Sequence, residues 1–402
     1  MGNPFASLGL AAHYTRFRVG HRLLLTGHSH QAWPDVAFDA QQRAWLDAAA
    51  LVDDKWQRAE AVAVEVRAGW RRLLNDPNGV IALGQNTHEL LVRLLSGVLP
   101  LFQPADAKGQ RRRKLITTNG EFHTIRRQLD RLAEEGISVI KIDARPSDTL
   151  SERLAASVDD ETACVMVSSV LFETAEIVPG LASVAAACDR HGATLLVDAY
   201  HHLNVVPFDI ESMGLSNAFV VGGGYKYCQL GEGNAFLRVP PGCDLRPVLT
   251  GWFSEFAQLA ETGRPGEVPY GEGAARFAGA TYDPTSHYRA AAVFTFHQRM
   301  DMTAERLRDA SRHQVAMLIS RIEAFDLNPA VADIIAIPAE RRGGFLAIRC
   351  AQALPAIFNL RARNVFADAR GDVVRLGPAP YLSDQQLREA GDIIGDVLKR
   401  LK

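Results

Sequence analysis

The stretch TLLVDAYHHLNVVPFDIESMGLSNAFVVGGGYKYCQLGEGNAFL, residues 194–237, decides how the rest of the chain is read. An apolar run opens it and stops at Asp198, followed by Ala199-Tyr200-His201-His202. A second apolar run ends in Gly222-Gly223-Gly224, then Tyr225-Lys226-Tyr227, then the flexible turn Gly231-Glu232-Gly233. Short runs rich in Val, Leu and Phe, bounded by polar or glycine-rich turns, predict strands buried on both faces. In an open α/β sheet, ligands bind beyond the carboxyl ends of such strands, where the carboxylate and the lysine both lie. The pair reads either as a structural ion pair or as a site. A buried lysine is costly unless its pKa falls, and a lysine with a lowered pKa suits Schiff-base chemistry.

The same alternation extends in both directions. Strands are expected at Lys114–Thr118, Ser138–Ile142, Cys164–Ser169, Thr194–Val197, Ala218–Gly222 and Ala235–Val239, with helices at Thr124–Glu135, Leu150–Ser157 and Leu181–His191. That order predicts a mainly parallel sheet covered by helices on both faces. Upstream, a polar turn from Thr26 to Pro34 precedes helical patterns from about Val36 and from Lys55 to Leu74. The short apolar run Val80–Leu83, the turn Gly84-Gln85-Asn86-Thr87 and a helix from Glu89 to Val98 follow. Downstream, one long helical pattern runs from about Tyr288 to Phe325. Shorter apolar runs at 334–337, 345–348 and 373–376 and an amphipathic helix from Ser383 to Leu401 read as a smaller α+β unit. The expected division is an N-terminal segment 1–55 packing with the small domain and a partner subunit, a large domain 56–290, and a small domain 291–402.

Composition narrows the function classes. The 402 residues carry 44 Lys+Arg against 46 Asp+Glu, a formal net charge of −2, which leaves no cationic excess for nucleic acid. The dense basic run Arg111-Arg112-Arg113-Lys114 reads as a solvated approach to a strand. Hydrophobic residues at 47% and charged residues at 22% exclude disorder as the main description. Five cysteines without CxxC spacing argue against a disulfide framework or a zinc knuckle. The histidines His28, His30, His123, His201 and His202 fit no tetrahedral metal set, so no metal is expected. No apolar stretch reaches the roughly 20 residues a bilayer span needs. A cytoplasmic protein is the expectation.

With those residues in view, the chain resembles the pyridoxal-phosphate (PLP) enzymes of the class V aminotransferase group, and most closely kynureninase, from about Leu23 to Leu398. Gly224-Tyr225-Lys226-Tyr227, with the glycine-rich turn and Ala235-Phe236 behind it, is similar to the cofactor-lysine segment of that family. The resemblance implies the aspartate-aminotransferase-like fold (fold type I), with a seven-stranded type of sheet. It implies pyridoxal 5'-phosphate held on Lys226, Tyr225 at the phosphate and in proton transfer, and Asp198 against the pyridine nitrogen with His201 in support. Asn86 and Thr87 would bind phosphate at a helix start, where backbone N–H groups and the dipole favour an anion, and Phe122 would stack on the ring. Trp252 and Asp283 would reach the phosphate of a neighbouring subunit in a homodimer, and Arg375 would grip the substrate carboxylate with its planar fork.

The implied activity is hydrolysis of L-kynurenine or 3-hydroxykynurenine to (hydroxy)anthranilate and L-alanine, a step of tryptophan degradation. A class V aminotransferase or lyase acting on another amino acid is the alternative. Cysteine desulfurase is disfavoured because Cys350 closes an apolar run. The sequence also departs from kynureninase. His28-Ser29-His30-Gln31 replaces Asn-Ser-Leu-Gly, Ile125 stands where a second aspartate would support the ring, Asp283 stands for Asn, and the segment after Arg375 is a residue shorter. His28, with His30 and Trp33, is expected to line the substrate pocket.

Overall fold

The computed structural model describes residues 4–99, 112–259 and 266–401. Its centre is a seven-stranded sheet. In spatial order the strands are Val80–Gly84, Ala235–Val239, Phe219–Gly223, Thr194–Asp198, Thr162–Ser168, Lys114–Thr118 and Ser138–Ile142. The last five run parallel, as expected of apolar runs joined through helices. Ala235–Val239 is antiparallel to both its neighbours, so the run at Val80 is an antiparallel edge strand. Thr162–Ser168 is buried at every residue, because helices cover both faces.

One face packs on Trp70, which is fully buried with Phe236 at 4.4 Å and Phe294 edge-on at 5.3 Å. Gly69 makes that approach possible, since a Cβ there would lie 2.2 Å from the Phe294 ring. Burying side chains of this size contributes about 2–3 kcal/mol each, so the helix Lys55–Leu73 is held by its apolar face.

The single helix expected from Tyr288 to Phe325 is two helices, Thr285–Arg299 and Ala304–Glu323. Asp301 takes φ 51 between them, and the Thr303 hydroxyl accepts the Arg306 N–H to start the second. The apolar spacing continues across the break, which is why periodicity missed it. The expected division at 290/291 falls inside the first of these helices.

A second sheet is antiparallel throughout, in the order Asp368–Arg370, Val373–Leu376, Leu346–Cys350 and Ala332–Ile334. The N-terminal segment pairs beside it in a separate two-stranded sheet. Leu23–Leu24 pairs parallel with Val365–Phe366, and Thr26 bridges Gly377, which carries His28 to the end of the strand that bears Arg375. The terminal helix Asp384–Lys399 opens on a capping box between Ser383 and Gln386. Of the basic run, Arg111 lies outside the described residues. Arg112 reaches the Gly192 carbonyl, and Lys114 pairs with Asp159 at 2.7 Å. No helix among the described residues is long and apolar enough to cross a membrane.

Candidate active site

Sheet topology assembles the site. Asp198 is the last residue of one strand, and Lys226 lies three residues beyond the neighbouring parallel strand, so both emerge at the carboxyl edge. The turn after Lys114–Thr118 brings Glu121 and Phe122 to the same edge.

Lys226 is 4% exposed. Its Nζ lies 2.9 Å from His201 Nε2 and faces three aromatic rings, Tyr200 at 4.6 Å, Phe122 at 4.9 Å and Tyr225 at 5.7 Å. Burial lowers its pKa to about 7. The Asp198 charge opposes that shift and the Arg375 charge reinforces it. An amine of this kind is half unprotonated at neutral pH and able to act as a nucleophile.

Asp198 accepts the Tyr200 backbone N–H at 2.8 Å, and burial raises its pKa. His201 is held neutral by burial and by the Lys226 charge, and the His28 carbonyl accepts from its ring. Tyr225 stacks on His30 with ring centroids 4.9 Å apart, its hydroxyl kept protonated by burial. A Cβ at Gly223 would lie 2.5 Å from the Tyr200 ring, so this glycine admits the tyrosine that covers Lys226.

Other expected residues are distributed around this centre. Asn86 caps the helix Thr87–Val98, its side chain accepting the Glu89 N–H at 2.9 Å. Asn86 therefore spends its side-chain oxygen on the helix, and Thr87 is the first helical residue. Gln85, just before it, lies beside Gly233 of the turn that follows Lys226. Ile125, where an aspartate was the family pattern, is buried in apolar core. Trp33 packs against Gly231 of the glycine turn and under Arg289.

Trp252 and Asp283 have no contact with Lys226 within the chain. Trp252 is 43% exposed and lines a cavity of about 1360 Å³ with Trp56, Phe256 and Tyr282. Asp283 accepts the Thr285 N–H at 2.9 Å at the start of a helix.

Arg375, expected to grip a substrate carboxylate, is engaged within the chain. It is 2% exposed, and its Nε and Nη2 donate to the two carboxylate oxygens of Asp368, which stands directly opposite in the antiparallel pair. Its Nη1 donates to the Phe172 carbonyl at 2.6 Å. His28, fully buried, completes the group with Nε2 2.7 Å from Asp368 Oδ1.

Three residues escaped the sequence reading. Asp368 is an acidic residue across the turn Gly371-Asp372 from Arg375, and only the hairpin register sets the two opposite each other. Tyr200 was visible between Asp198 and His201, but nothing in the spacing aimed its ring at the lysine. Glu121 is a buried carboxylate that accepts from the Thr118 and Ser168 hydroxyls at 2.7 and 2.6 Å and from the Ser168 N–H at 3.1 Å, with its pKa raised by burial to about 7.

The donor set fits pyridoxal phosphate. A buried amine of lowered pKa, a carboxylate with one oxygen unused, aromatic faces and a guanidinium converge at the carboxyl edge of the sheet.

Comparison with known proteins supports the same group. Residues 307–394 match the family model described as the Kynureninase C-terminal domain. The chain is 27% identical over 270 residues to the kynureninase of Bacillus thuringiensis subsp. konkukian (strain 97-27), covering 65% of this chain and 61% of that protein. It is 27% identical over 245 residues to the uncharacterized aminotransferase YcbU of Bacillus subtilis (strain 168), covering 60% of this chain and 62% of that one. The matches thus span about 61% of the length of these curated relatives. Among solved structures, the apo cysteine desulfurase of Thermococcus onnurineus NA1 superposes with a TM-score of 0.81 at 15% identity, covering 100% of both chains. The cystine C-S lyase C-DES, in complex with its reaction product cysteine persulfide, gives 0.78 at 19%, covering 94% of this chain and 98% of that one. At these identities the structural likeness speaks for the fold alone. Fold, site and sequence matches point the same way: the chain is similar to the kynureninase and class V aminotransferase-like group of pyridoxal-phosphate enzymes, and its residues 307–394 carry that family's C-terminal domain.

Proposed function

We propose that this chain is a PLP-dependent hydrolase of the kynureninase type, cleaving the Cβ–Cγ bond of L-kynurenine or 3-hydroxykynurenine to (hydroxy)anthranilate and L-alanine. The observation that carries the reading is Lys226, buried among aromatic rings with a pKa near neutrality and within electrostatic reach of both Asp198 and Arg375. When bound, pyridoxal phosphate supplies an electron-accepting ring conjugated to the substrate α-carbon. Lys226 holds the cofactor, then takes and returns the proton at the α-carbon. Asp198 would keep a proton on the cofactor's ring nitrogen, with His201 in support, and Phe122 would cover the ring. Thr87 and its helix start would hold the phosphate through backbone N–H groups. Arg375 binds the substrate carboxylate, and Tyr225, kept protonated by burial, donates a proton on the aryl side.

The proposal includes a cytoplasmic homodimer in which Trp252 and Asp283 approach the partner's site, and a role in tryptophan degradation. Sulfur transfer through a cysteine is disfavoured. Burial raises the pKa of each of the five thiols, whereas such chemistry needs a thiolate.

The test is product analysis by mass spectrometry after incubating the cofactor-loaded protein with L-kynurenine and 3-hydroxykynurenine. Anthranilate or its hydroxy form with alanine is the expected result. Transfer of the amino group to a keto acid, with no cleavage, would instead establish an aminotransferase, the reading that similarity to YcbU favours. A Lys226→Ala protein turning over at the wild-type rate would sink both.

A further inference from the structure

Arg375 is expected to receive a substrate carboxylate, yet it already holds one. Asp368 occupies its Nε and Nη2 edge, and the Phe172 carbonyl takes a hydrogen of Nη1. A guanidinium has five N–H donors. Three are spent, so one N–H remains on each terminal nitrogen for a further acceptor.

Charge leads to the same place. Asp368 meets two guanidinium groups, Arg375 and the half-exposed Arg370, whose Nη1 lies 3.3 Å from Oδ2. Two cations against one carboxylate leave the cluster one negative charge short. His28 adds no charge, because burial lowers its pKa to about 4. Both arginines lower the pKa of Lys226, and Asp368 raises it.

The cluster is also braced from behind. Asp368, held well below the usual carboxylate range by His28 and Arg375, is an acceptor only, so His28 presents Nε2–H to it. The His28 ring packs on Phe345 at 4.7 Å, and a Cβ at Gly377 would lie 2.3 Å from its Nδ1, so the imidazole is confined on that side. Through its carbonyl the same residue meets the His201 ring, next to Lys226. One N-terminal residue therefore ties the lysine side of the site to the guanidinium side.

We propose that Asp368 and His28 are positioning residues that hold the Arg375 guanidinium by one edge and so present its remaining N–H pair, with the charge of Arg370 beside it, to the carboxylate of the substrate. The inference deepens the reading of Arg375 as the carboxylate-binding residue and rests on it. The opposite reading is that Asp368 competes with the substrate for Arg375 and keeps carboxylates out. The two differ in sign, since removing a brace weakens carboxylate binding and removing a competitor strengthens it.

Calorimetric titration of the full-length protein with benzoate and with benzamide, its neutral counterpart, separates them. Neither probe takes part in the proposed chemistry, and the titration is run with and without added pyridoxal phosphate. A failure of the cofactor reading therefore does not masquerade as a failure here. The wild type is expected to prefer benzoate about tenfold or more, the scale of a charge-assisted hydrogen-bonded pair. In Asp368→Ala that preference falls about tenfold while benzamide binding is unchanged. Asp368→Asn, which keeps one acceptor oxygen for the guanidinium, falls between, and His28→Phe moves the same way by less. With substrate, Asp368→Ala raises KM more than it lowers kcat. Benzoate binding in Asp368→Ala that equals or exceeds the wild type overturns the proposal. So does an equal loss of benzoate and benzamide, which a merely structural residue produces, or a wild type with no preference.

Discussion

Lys226 shows how burial creates reactivity at the scale of one residue. Desolvation, helped by the Arg375 charge and opposed by Asp198, brings the amine down to about 7. Pyridoxal phosphate added to the cofactor-free protein and trapped with borohydride is expected to mark Lys226, found by peptide mass mapping. The yield should rise through a midpoint near pH 7, since the free amine is the nucleophile. Lys226→Ala should give no adduct at that site and lose about 10²–10⁴-fold or more in product formation. Equal labelling across the surface lysines, with no midpoint near neutrality, would refute it. Glu121 is the converse case. Burial raises its folded pKa from 4.5 to about 7, so between those values the folded chain keeps a proton that the unfolded chain has lost. Its contribution to stability is full below the unfolded value and is lost as pH rises through the folded one. Glu121→Gln keeps the bonds to Thr118 and Ser168 but does not titrate. Relative to this variant the wild type should lose about 3 kcal/mol of unfolding free energy between about pH 4.5 and pH 8, from the size of the shift. Urea unfolding at both pH values checks it, and a constant difference would refute it.

At the scale of elements, the site depends on where strands stop. Gly223 ends the strand that leads to Lys226, and the Tyr200 ring fills the space its missing Cβ would take. Gly223→Ala is therefore expected to cost about 1–3 kcal/mol through overpacking and to lower activity by displacing the ring beside Lys226. Ser383→Ala, which removes the capping box of the terminal helix, should cost about 1 kcal/mol and leave turnover unchanged. Denaturant curves and steady-state rates on the two variants separate a site element from a structural one. The parallel strands could be read from the chain because burial on both faces writes them as short unbroken apolar runs. Their carboxyl ends, and with them Asp198 and Lys226, were legible for the same reason. The break at Met300–Thr303 was not, because an apolar period survives a change of direction made by Asp301 and a cap at Thr303. Nor was the bond from Asp368 to Arg375. It depends on the register of a hairpin, and a one-residue slip would face the two side chains to opposite sides of the sheet.

At the scale of the whole molecule, apolar surface is left exposed among the described residues. Trp252 and Phe256 are 43% and 59% exposed, Val64 is 54% exposed, and all three line the cavity of about 1360 Å³ between the helix Lys55–Leu73 and residues 252–258 and 271–282. Exposed aromatic and aliphatic side chains clustered around a concavity are the pattern of a surface that meets another protein. The residues expected to serve a neighbouring subunit, Trp252 and Asp283, lie beside this concavity and away from Lys226. Light scattering on the eluting protein should therefore give twice the mass of the 44.0 kDa chain. Phe256→Asp buries a charge in such an interface at a cost no surface contact returns, so it should shift the protein toward the monomer. If Trp252 serves the partner's site, the monomer should also lose activity although its own Lys226, Asp198 and Arg375 are untouched. Mixing inactive Lys226→Ala chains with inactive Phe256→Asp chains then restores nothing, because the second cannot pair. Mixing Lys226→Ala with Trp252→Ala restores one intact site in each mixed dimer. A monomeric wild type, or full activity in monomeric Phe256→Asp, would show that the site is complete within one chain and that the concavity serves something else.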